Sequence, residues 1–372
     1  MPDYLRRPRK FLTIVIRRVR ILLVPGFVLF VSFVVRSEPM AHRNLVLAGD
    51  IGGTKTNLAL FSVHGEKLRA ESQRNFPSKR YSGLIPVVQE FLAGGDHAID
   101  AACFGIAGPV VDGKVKTPNL PWMLDTAELR HALKLNAVTL LNDLEAGAYG
   151  IFTLENDEFY TLNEGTMRHS GNKALIAAGT GLGQAILYDD GHHFHPLASE
   201  GGHADYAPRN ELEIEMLRYL LARFGHVSYE RVVSGPGLLN IYRFLKDARG
   251  LEEPAWLTER FAAADDPSAV ISQAALAKEA EICVEALNLF VTVYGAEAGN
   301  LALRAKSVRG LYVGGGIAPK ILDKLKDGTF MKAFLDKGRY RDLLAATTVQ
   351  VILNPQAPLR GAAYYAAFLA RD

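Results

Sequence analysis

Two glycine-rich turns, at residues 49–54 and 177–183, are the first features of this sequence that could take part in chemistry. Gly49-Asp50-Ile51-Gly52-Gly53-Thr54 follows an apolar run at 45–48, and Ala178-Gly179-Thr180-Gly181-Leu182-Gly183 follows another at 174–177. Each pattern predicts a buried strand that runs into a turn with uncovered backbone N–H groups, which glycine allows to approach an anion closely. The repetition predicts two similar lobes that hold one nucleotide between them.

Asn142 and Asp143 follow the apolar run 137–141, which reads as a buried strand. Polar groups beyond the carboxyl end of a strand are where α/β proteins bind their ligands. The alternative is that Asp143 only caps a helix over 145–151. The residues alone leave both interpretations open.

Three further segments carry polar groups or glycines that could bind a ligand. Glu200-Gly201-Gly202-His203 follows 194–198 and predicts either a tight turn that presents both side chains to one point or a simple surface loop. Glu230 is either a ligand-binding carboxylate or an ordinary acidic residue in the first turn of a helix, where the macrodipole favours it. Gly314-Gly315-Gly316 is a third glycine cluster after a short strand at 311–313.

The histidines and cysteines do not indicate a transition-metal site. His192, His193, His195 and His203 lie close together in sequence, but no cysteine or carboxylate completes a recognisable ligand spacing. We expect His192 and His193 to be exposed turn residues. The two cysteines at 103 and 283 lie in apolar runs and read as buried free thiols, which suits a reducing compartment and predicts a cytoplasmic protein.

The remaining pattern predicts the elements that position these residues. A hairpin at 57–63 and 67–76 follows the first turn, and a second hairpin pairs 174–178 with 184–188. Helices are predicted at 82–93, from Asn210 (capped with Glu213) to Gly225, over 272–289 with a continuation toward 304, and at 358–369. We therefore expect a small α/β lobe of residues 44–152 plus 353–372 and a large α/β lobe of residues 153–352.

Residues 1–43 differ in composition from the rest of the chain. They hold nine of the 42 basic residues and two of the 40 acidic ones, which leaves residues 44–372 with 33 basic and 38 acidic residues. That mildly acidic body gives no support to nucleic-acid binding. The extension is basic and then apolar, so it reads as a membrane anchor, a signal peptide or upstream sequence before a natural start at Met40. Only residues 1–39 suggest a weak membrane association.

Beyond residue 45 the chain resembles the bacterial glucokinases of the hexokinase–actin ATPase superfamily. The glycine turns alone indicate the superfamily, and the ordered set with ND, EGGH and the segment around Glu230 is more specific. The stretches that carry the resemblance are GDIGGTK (49–55), FGIAGPV (104–110), TPNLPW (117–122), LNDLEA (141–146), AAGTGLG (177–183), SEGGHADYAP (199–208), SYERVVSGPGL (228–238) and GLYVGGGI (310–317).

The resemblance implies an α/β, two-lobed actin-like ATPase (ribonuclease H-like) fold with the active site in the cleft between the lobes. It implies transfer of the γ-phosphate of ATP to the 6-hydroxyl of glucose, giving glucose 6-phosphate and ADP at the entry to glycolysis. Asp143 then matches the general base. The matching sugar ligands are Asn119, Asn142, Asp143, Glu200, His203 and Glu230.

The same resemblance assigns the nucleotide side. Residues Gly49, Asp50, Ile51, Gly52, Gly53 and Thr54 match the first phosphate loop, and Gly179, Thr180, Gly181 and Gly183 match the second. Asp50 would lie near Mg²⁺ through a water molecule, and Gly314, Gly315 and Gly316 would lie beside the adenosine. Kinases for another hexose or an amino sugar, and a non-catalytic sugar sensor, remain the alternatives, and a homodimer is the expected assembly.

Overall fold

The computed structural model describes residues 44–369, except residues 96, 118, 167 and 168 and the side chain of Ala198. The three interpretations of the N-terminal extension concern residues outside this described part. The strands are β1 Leu45–Ile51, β2 Lys55–His64, β3 Lys67–Pro77, β4 Ala101–Ile106, β5 Lys114–Lys116, β6 Met123–Asp125, β7 Ala137–Asn142, β8 Phe159–Asn163, β9 Lys173–Ala178, β10 Leu182–Asp189, β11 Phe194–Ser199, β12 Leu311–Gly314 and β13 Val349–Ile352.

Twelve α-helices connect and cover these strands in the described residues. They are α1 Leu84–Leu92, α2 Thr126–Leu133, α3 Asp143–Gly150, α4 Glu211–Phe224, α5 Gly235–Asp247, α6 Ala255–Ala263, α7 Pro267–Leu276, α8 Glu281–Ala305, α9 Leu322–Lys326, α10 Thr329–Leu335, α11 Arg341–Ala345 and α12 Ala357–Phe368.

The first sheet has the strand order β3-β2-β1-β4-β7. Strands β1, β2 and β3 are antiparallel neighbours, whereas β4 runs parallel to β1 and β7 runs parallel to β4. The register aligns Ile51 with Ile106, and Ile106 with Asn142. The carboxyl ends of three parallel strands therefore meet at one edge, which brings the first glycine turn and Asp143 to the same side of the sheet.

The second sheet repeats this plan with the order β11-β10-β9-β12-β13-β8. Strands β9, β10 and β11 form the antiparallel part, and β12 and β13 continue the sheet in parallel with β9. Strand β8 closes the far edge in antiparallel pairing with β13. The repeated glycine turn thus marks a repeated arrangement of strands, as the sequence predicts.

The C-terminal helix α12 packs on the first sheet and on α3, which confirms the predicted return of the chain. Its Leu359, Ala362 and Ala366 belong to a buried cluster with residues of β1, β4 and α3. At Gly361 a side chain would collide with the backbone carbonyl of Ala146 in α3. The two helices therefore cross at close range through small residues.

Two predictions about helices are wrong in detail. The helix expected to run from Ser272 toward Arg304 is broken, because α7 ends at Leu276 and α8 begins at Glu281. Lys278 in the break has a φ of 56°, which a continuous right-handed helix does not allow. The sequence of α4 also predicts one apolar face with Leu212, Met216, Tyr219 and Leu220. Met216 and Leu220 are buried and Tyr219 is partly buried, but Leu212 is exposed.

The capping prediction for α4 is confirmed, since the Asn210 side chain accepts a hydrogen bond from the backbone N–H of Glu213. Both cysteines are free and buried. Helix α8 is long and apolar enough to cross a membrane by length and composition. However, 78% of its most apolar 18-residue window is buried inside the protein. Helix α8 is therefore a core helix, and it packs in one hydrophobic cluster with residues of β9, β12 and β13.

Candidate active site

The first glycine turn connects β1 to β2 and carries its own carboxylate. The Gly52 N–H donates to the Lys55 carbonyl at 2.9 Å, and the Ser78 hydroxyl donates to the Gly52 carbonyl at 2.7 Å. Asp50 lies one residue before the end of β1, and its Oδ2 accepts a hydrogen bond from the Asn57 amide at 3.0 Å. Burial raises the pKa of Asp50, the bond from Asn57 opposes that rise, and the negative charge of Asp143 adds to it.

The second glycine turn connects β9 to β10 and receives its carboxylate from elsewhere in the chain. The Gly179 N–H donates to the Gly181 carbonyl at 2.8 Å, and the Gly235 N–H at the start of α5 donates to the Gly179 carbonyl at 2.8 Å. Oε2 of Glu230 accepts the Leu182 N–H at 3.0 Å, and a side chain at Gly181 would come within 2.5 Å of the same oxygen. Glu230 therefore contacts the predicted second phosphate loop directly.

The structure shows which of the two neighbours Asn142 and Asp143 caps α3. Asn142 is the N-cap of α3, because its Oδ1 accepts the Leu144 N–H at 2.9 Å and Glu145 completes a capping box. Its amide donates to the Gly108 carbonyl at 3.0 Å. Asp143 is the first residue of the helix, and its side chain accepts the Leu144 N–H at 2.9 Å. Helix capping thus belongs to Asn142.

The environment of Asp143 makes its carboxyl more basic than a free aspartate. Desolvation by the surrounding protein raises its pKa, backbone hydrogen bonds at the start of α3 lower it, and the charge of Glu200 raises it further. Asp143 thus lies within electrostatic reach of Asp50 on the first sheet and of Glu200, which follows β11 on the second. An acceptor with a raised pKa at such a position is suited to take up a proton from a substrate hydroxyl.

Glu200 directly follows β11 and precedes a one-turn 3₁₀ helix, Gly201–His203, of which His203 is the last residue. Both side chains are exposed, and Nε2 of His203 lies 4.0 Å from Oε2 of Glu200. The tight turn that presents two polar groups to one point is therefore present. His192 and His193 lie exposed in the turn between β10 and β11, as expected.

Asn119 and the third glycine segment lie beside the two glycine turns. A Cβ atom at Gly53 would lie 2.7 Å from Cβ of Asn119, which places the exposed Asn119 against the first turn. Beside the second turn, the Ile317 N–H donates to the Ala178 carbonyl at 3.2 Å, so Gly315 and Gly316 lie at the end of β9. Both of these glycines are exposed.

Five predicted nucleotide-side residues, Asp50 among them, lie inside strands and do not form the turns themselves. Gly49, Ile51 and Gly314 are buried, and a Cβ atom at Gly49 would lie 2.5 Å from the Phe104 ring. Gly183 is in β10 opposite Ala177, and its missing side chain leaves room for Leu144 of α3. These residues shape the strands behind the turns. No group of three or more metal-ligating side chains that could hold an ion is found among the described residues.

The sequence reasoning did not single out two buried polar residues behind the site. Gln184 in β10 is 1% exposed and Glu297 in α8 is fully buried, and the two side chains are hydrogen-bonded at 2.8 Å. The sequence does carry one signal for Glu297, which is a charged residue within the apolar sequence of α8. An isolated buried charge is costly, so such a residue is expected to have polar partners.

The repeated hairpin-and-parallel-strand sheets define an actin-like ATPase fold that serves sugar kinases. A glucokinase from an Antarctic psychrotroph superposes with a TM-score of 0.77 at 30% identity, over 86% of this chain and 98% of that one. A ROK family glucokinase from Streptomyces griseus, solved with glucose and AMPPNP, superposes with a TM-score of 0.62 at 24% identity, over 87% and 99% of the two chains.

The sequence matches narrow this class to one family. The family model described as Glucokinase matches residues 47–368. A glucokinase of Trichormus variabilis is 44% identical over 341 residues, covering 87% of this chain and 99% of that protein. One from Yersinia pestis is 37% identical over 323 residues, covering 86% and 95%. The chain belongs to the glucokinase family, whose members are ATP-dependent hexose kinases.

Proposed function

We propose that this chain phosphorylates glucose at its 6-hydroxyl with ATP as donor and that Asp143 is the general base. The observation that carries the proposal is the position of Asp143 at the start of α3, within electrostatic reach of Asp50 on one side and Glu200 on the other. One carboxylate of β1 and one carboxylate after β11 therefore act electrostatically on the same acceptor.

In the proposed reaction the 6-hydroxyl oxygen of glucose attacks the γ-phosphorus of ATP. The hydroxyl proton passes to the Asp143 carboxylate, the bond from the γ-phosphorus to the bridging oxygen breaks, and ADP leaves with that oxygen. Phosphoryl transfer depends chiefly on alignment and charge neutralisation, which the N–H groups of two glycine turns supply. A positioned base adds roughly 10²- to 10⁴-fold to the rate.

We assign the sugar to the polar groups that surround Asp143. Glu200 and His203 offer exposed side chains beside it, and Asn119 lies against the first turn. The side-chain oxygen of Asn142 caps α3 and one of its amide N–H groups donates to the Gly108 carbonyl, so we assign its second amide N–H to the sugar. One oxygen of Glu230 accepts the Leu182 N–H, and we assign the other to a sugar hydroxyl.

The Glu230 contact gives the proposed site a link between its two substrates. The same carboxylate that binds the sugar also holds the N–H at the end of the second phosphate loop. A sugar hydroxyl on Glu230 would fix that side chain and, with it, the loop. We therefore expect glucose to strengthen nucleotide binding, and by linkage the nucleotide to strengthen glucose binding.

The residues near Asp50 are compatible with Mg²⁺. Burial and the neighbouring charge of Asp143 raise the pKa of Asp50, and a divalent cation among phosphates would offset both effects. When bound, the ion neutralises phosphate charge. Asp50 would hold it through water, while Asn57 orients the carboxylate by its 3.0 Å hydrogen bond.

The assignment of lobes and surroundings completes the proposal. The two sheets are compatible with a small lobe of residues 44–152 plus 353–372 and a large lobe of residues 153–352. We place the protein in the cytoplasm, where ATP is available, and expect a homodimer. A weak membrane association would require residues 1–39.

A coupled assay that compares sugars tests the substrate assignment. We expect the highest kcat/KM for glucose among glucose, mannose, fructose, glucosamine and N-acetylglucosamine, because specificity is the ratio of these values. A higher kcat/KM for another sugar would move the assignment within the hexose kinases. Absence of turnover with every sugar, together with glucose binding in calorimetry, would favour the sugar sensor.

A further inference from the structure

A buried carboxylate on the central helix α8 lies behind the residues that the proposed function assigns to the sugar. Glu297 is fully buried in the middle of α8. Its Oε1 accepts from the Gln184 amide at 2.8 Å and from the Arg304 guanidinium, and its Oε2 accepts from the Asn300 amide at 2.9 Å. A buried carboxylate is retained at low cost only when such partners surround it, so this network is built around its charge.

One arm of this network reaches the turn that carries Glu200 and His203. Gln184 is 1% exposed and pairs with Ser199 across β10 and β11. Its side-chain oxygen lies 2.6 Å from where a Cβ atom of Gly201 would be, so the Gln184 amide lies directly beneath the turn. The Glu297 carboxylate fixes this amide from the opposite side, through the amide nitrogen.

The other arm reaches the residue next to Glu230. The Asn300 amide donates to the Tyr229 hydroxyl at 3.0 Å, and Tyr229 begins the 3₁₀ turn that contains Glu230. Burial first, and then the negative charge of Glu297, raise the pKa of Tyr229 to about 12, so this phenol stays protonated at neutral pH. The Tyr229 N–H also donates to the Ala204 carbonyl at 3.0 Å, which joins the two segments above the network.

We propose that Glu297 is a positioning residue that fixes the spacing between the Glu200–His203 turn and Glu230. This inference rests on the proposed function, since it takes these three side chains as sugar ligands. Glu297 touches none of the reacting groups and acts through Gln184 on one segment and through Asn300 and Tyr229 on the other. Its loss would let the segments drift apart and would weaken glucose binding more than ATP binding.

The test compares steady-state constants and glucose affinity in four variants and the wild type. Glu297→Leu removes the acceptor, and we expect the KM and calorimetric Kd for glucose to rise roughly 10- to 100-fold, because small displacements of binding groups have large effects. The KM for ATP should rise by a smaller factor, because in the nucleotide turns only the Leu182 N–H depends on Glu230. Glu297→Gln keeps the shape and one acceptor and should rescue most of the loss.

Two further variants separate positioning from general destabilisation. Asn300→Ala removes both hydrogen bonds that link Glu297 to Tyr229 and leaves the bond between Glu297 and Gln184. It should raise the KM for glucose by about 2- to 12-fold, the equivalent of one hydrogen bond, even if Glu297→Leu does not fold. Glu253→Gln is the matched control. Its carboxylate is 12% exposed and bonded to Tyr242, Thr258 and Lys246, away from both segments, so only the melting temperature should fall.

Two results would overturn the inference. One is an unchanged glucose Kd in folded Glu297→Leu or Asn300→Ala protein, and the other is a parallel rise of the KM values for glucose and ATP. Wild-type turnover of glucose, measured in the same series, keeps these results distinct from a failure of the proposed function, in which the wild type itself would not phosphorylate glucose.

Discussion

The two glycine turns have the same backbone arrangement but differ in one cross-strand residue pair beside the turn, which we call the neck of the hairpin. In the first hairpin, Asp50 is paired with Asn57 across β1 and β2. At the corresponding place in the second, Ala177 is paired with Gly183 across β9 and β10. A carboxylate and an amide in one hairpin thus correspond to the two smallest side chains in the other.

This difference follows from what each neck must accommodate. Asp50 and Asn57 hydrogen-bond to each other and present a negative charge beside the turn. A Cβ atom at Gly183 would lie 2.8 Å from Cδ1 of Leu144, so the second neck is small because α3 packs against it. Leu144 directly follows Asp143. The first hairpin therefore contributes charge, and the second contributes room for the helix that carries the proposed base.

The second hairpin compensates by taking its carboxylate from another segment. Glu230 lies 48 residues beyond Leu182, whose N–H it accepts. A repeated turn in a sequence thus predicts a repeated backbone, but it does not tell which turn carries its own charge. That lesson can be tested by substitutions in the two hairpins and in α3.

The largest effect is expected at Asp143, where α3 begins. Asp143→Asn should lower kcat by roughly 10²- to 10⁴-fold while glucose binding in calorimetry stays close to the wild type. The melting temperature should not fall, because the raised pKa means that the fold disfavours the ionised carboxyl. Normal turnover in this variant would refute the assignment of the base.

The next largest effect distinguishes the two turns themselves. Asp50→Asn should lower kcat by roughly 10- to 100-fold, the typical effect of removing a group that contacts a metal ion indirectly, here through a water molecule. Thr180→Ala in the second turn should change kcat by less than about threefold, since this exposed side chain has no charge to contribute. Equal losses in the two variants would mean that the hairpins contribute in the same way.

A smaller effect is expected from filling the neck of the second hairpin. Gly183→Val would press on Leu144, so it should cost about 1–3 kcal/mol in the free energy of unfolding and displace Asp143. Combining it with Leu144→Ala should recover part of the loss in both stability and kcat, as measured by a double-mutant cycle. Strictly additive losses would show that α3 does not depend on this contact.

Much of the fold could be predicted from the sequence because its signals are local. Apolar runs before glycine turns predict both hairpins, and Asn210 with Glu213 predicts the start of α4. The break between α7 and α8 could not be predicted, because no glycine or proline marks it. The first glycine after Ser272 is Gly295, which lies inside α8. The left-handed conformation of Lys278 ends α7.

The site was predicted less completely because its contacts join residues that are distant in sequence. Asp143, Glu200 and Glu230 could be named from motifs, but neither the bond from Leu182 to Glu230 nor the packing of Leu144 on Gly183 leaves a local pattern. Asn142 and Asp143 are neighbours in sequence, and only the structure shows that Asn142 is the residue that caps α3. The network around Glu297 could not be predicted, because its three hydrogen-bond partners come from two elements.

The pH dependence of kcat/KM for glucose in the wild type and in Asp143→Asn tests the central claim most directly. The account predicts that the wild type loses activity on the acid side with an apparent pKa above that of an ordinary aspartate, since Asp143 must be ionised and its pKa is raised. In Asp143→Asn the loss of residual activity on the acid side should be absent or should occur at lower pH, because the charge of Asp143, which raises the pKa of Asp50, is also gone. An acid limb that stays at the wild-type pH in the variant would contradict the assignment of Asp143 as the base.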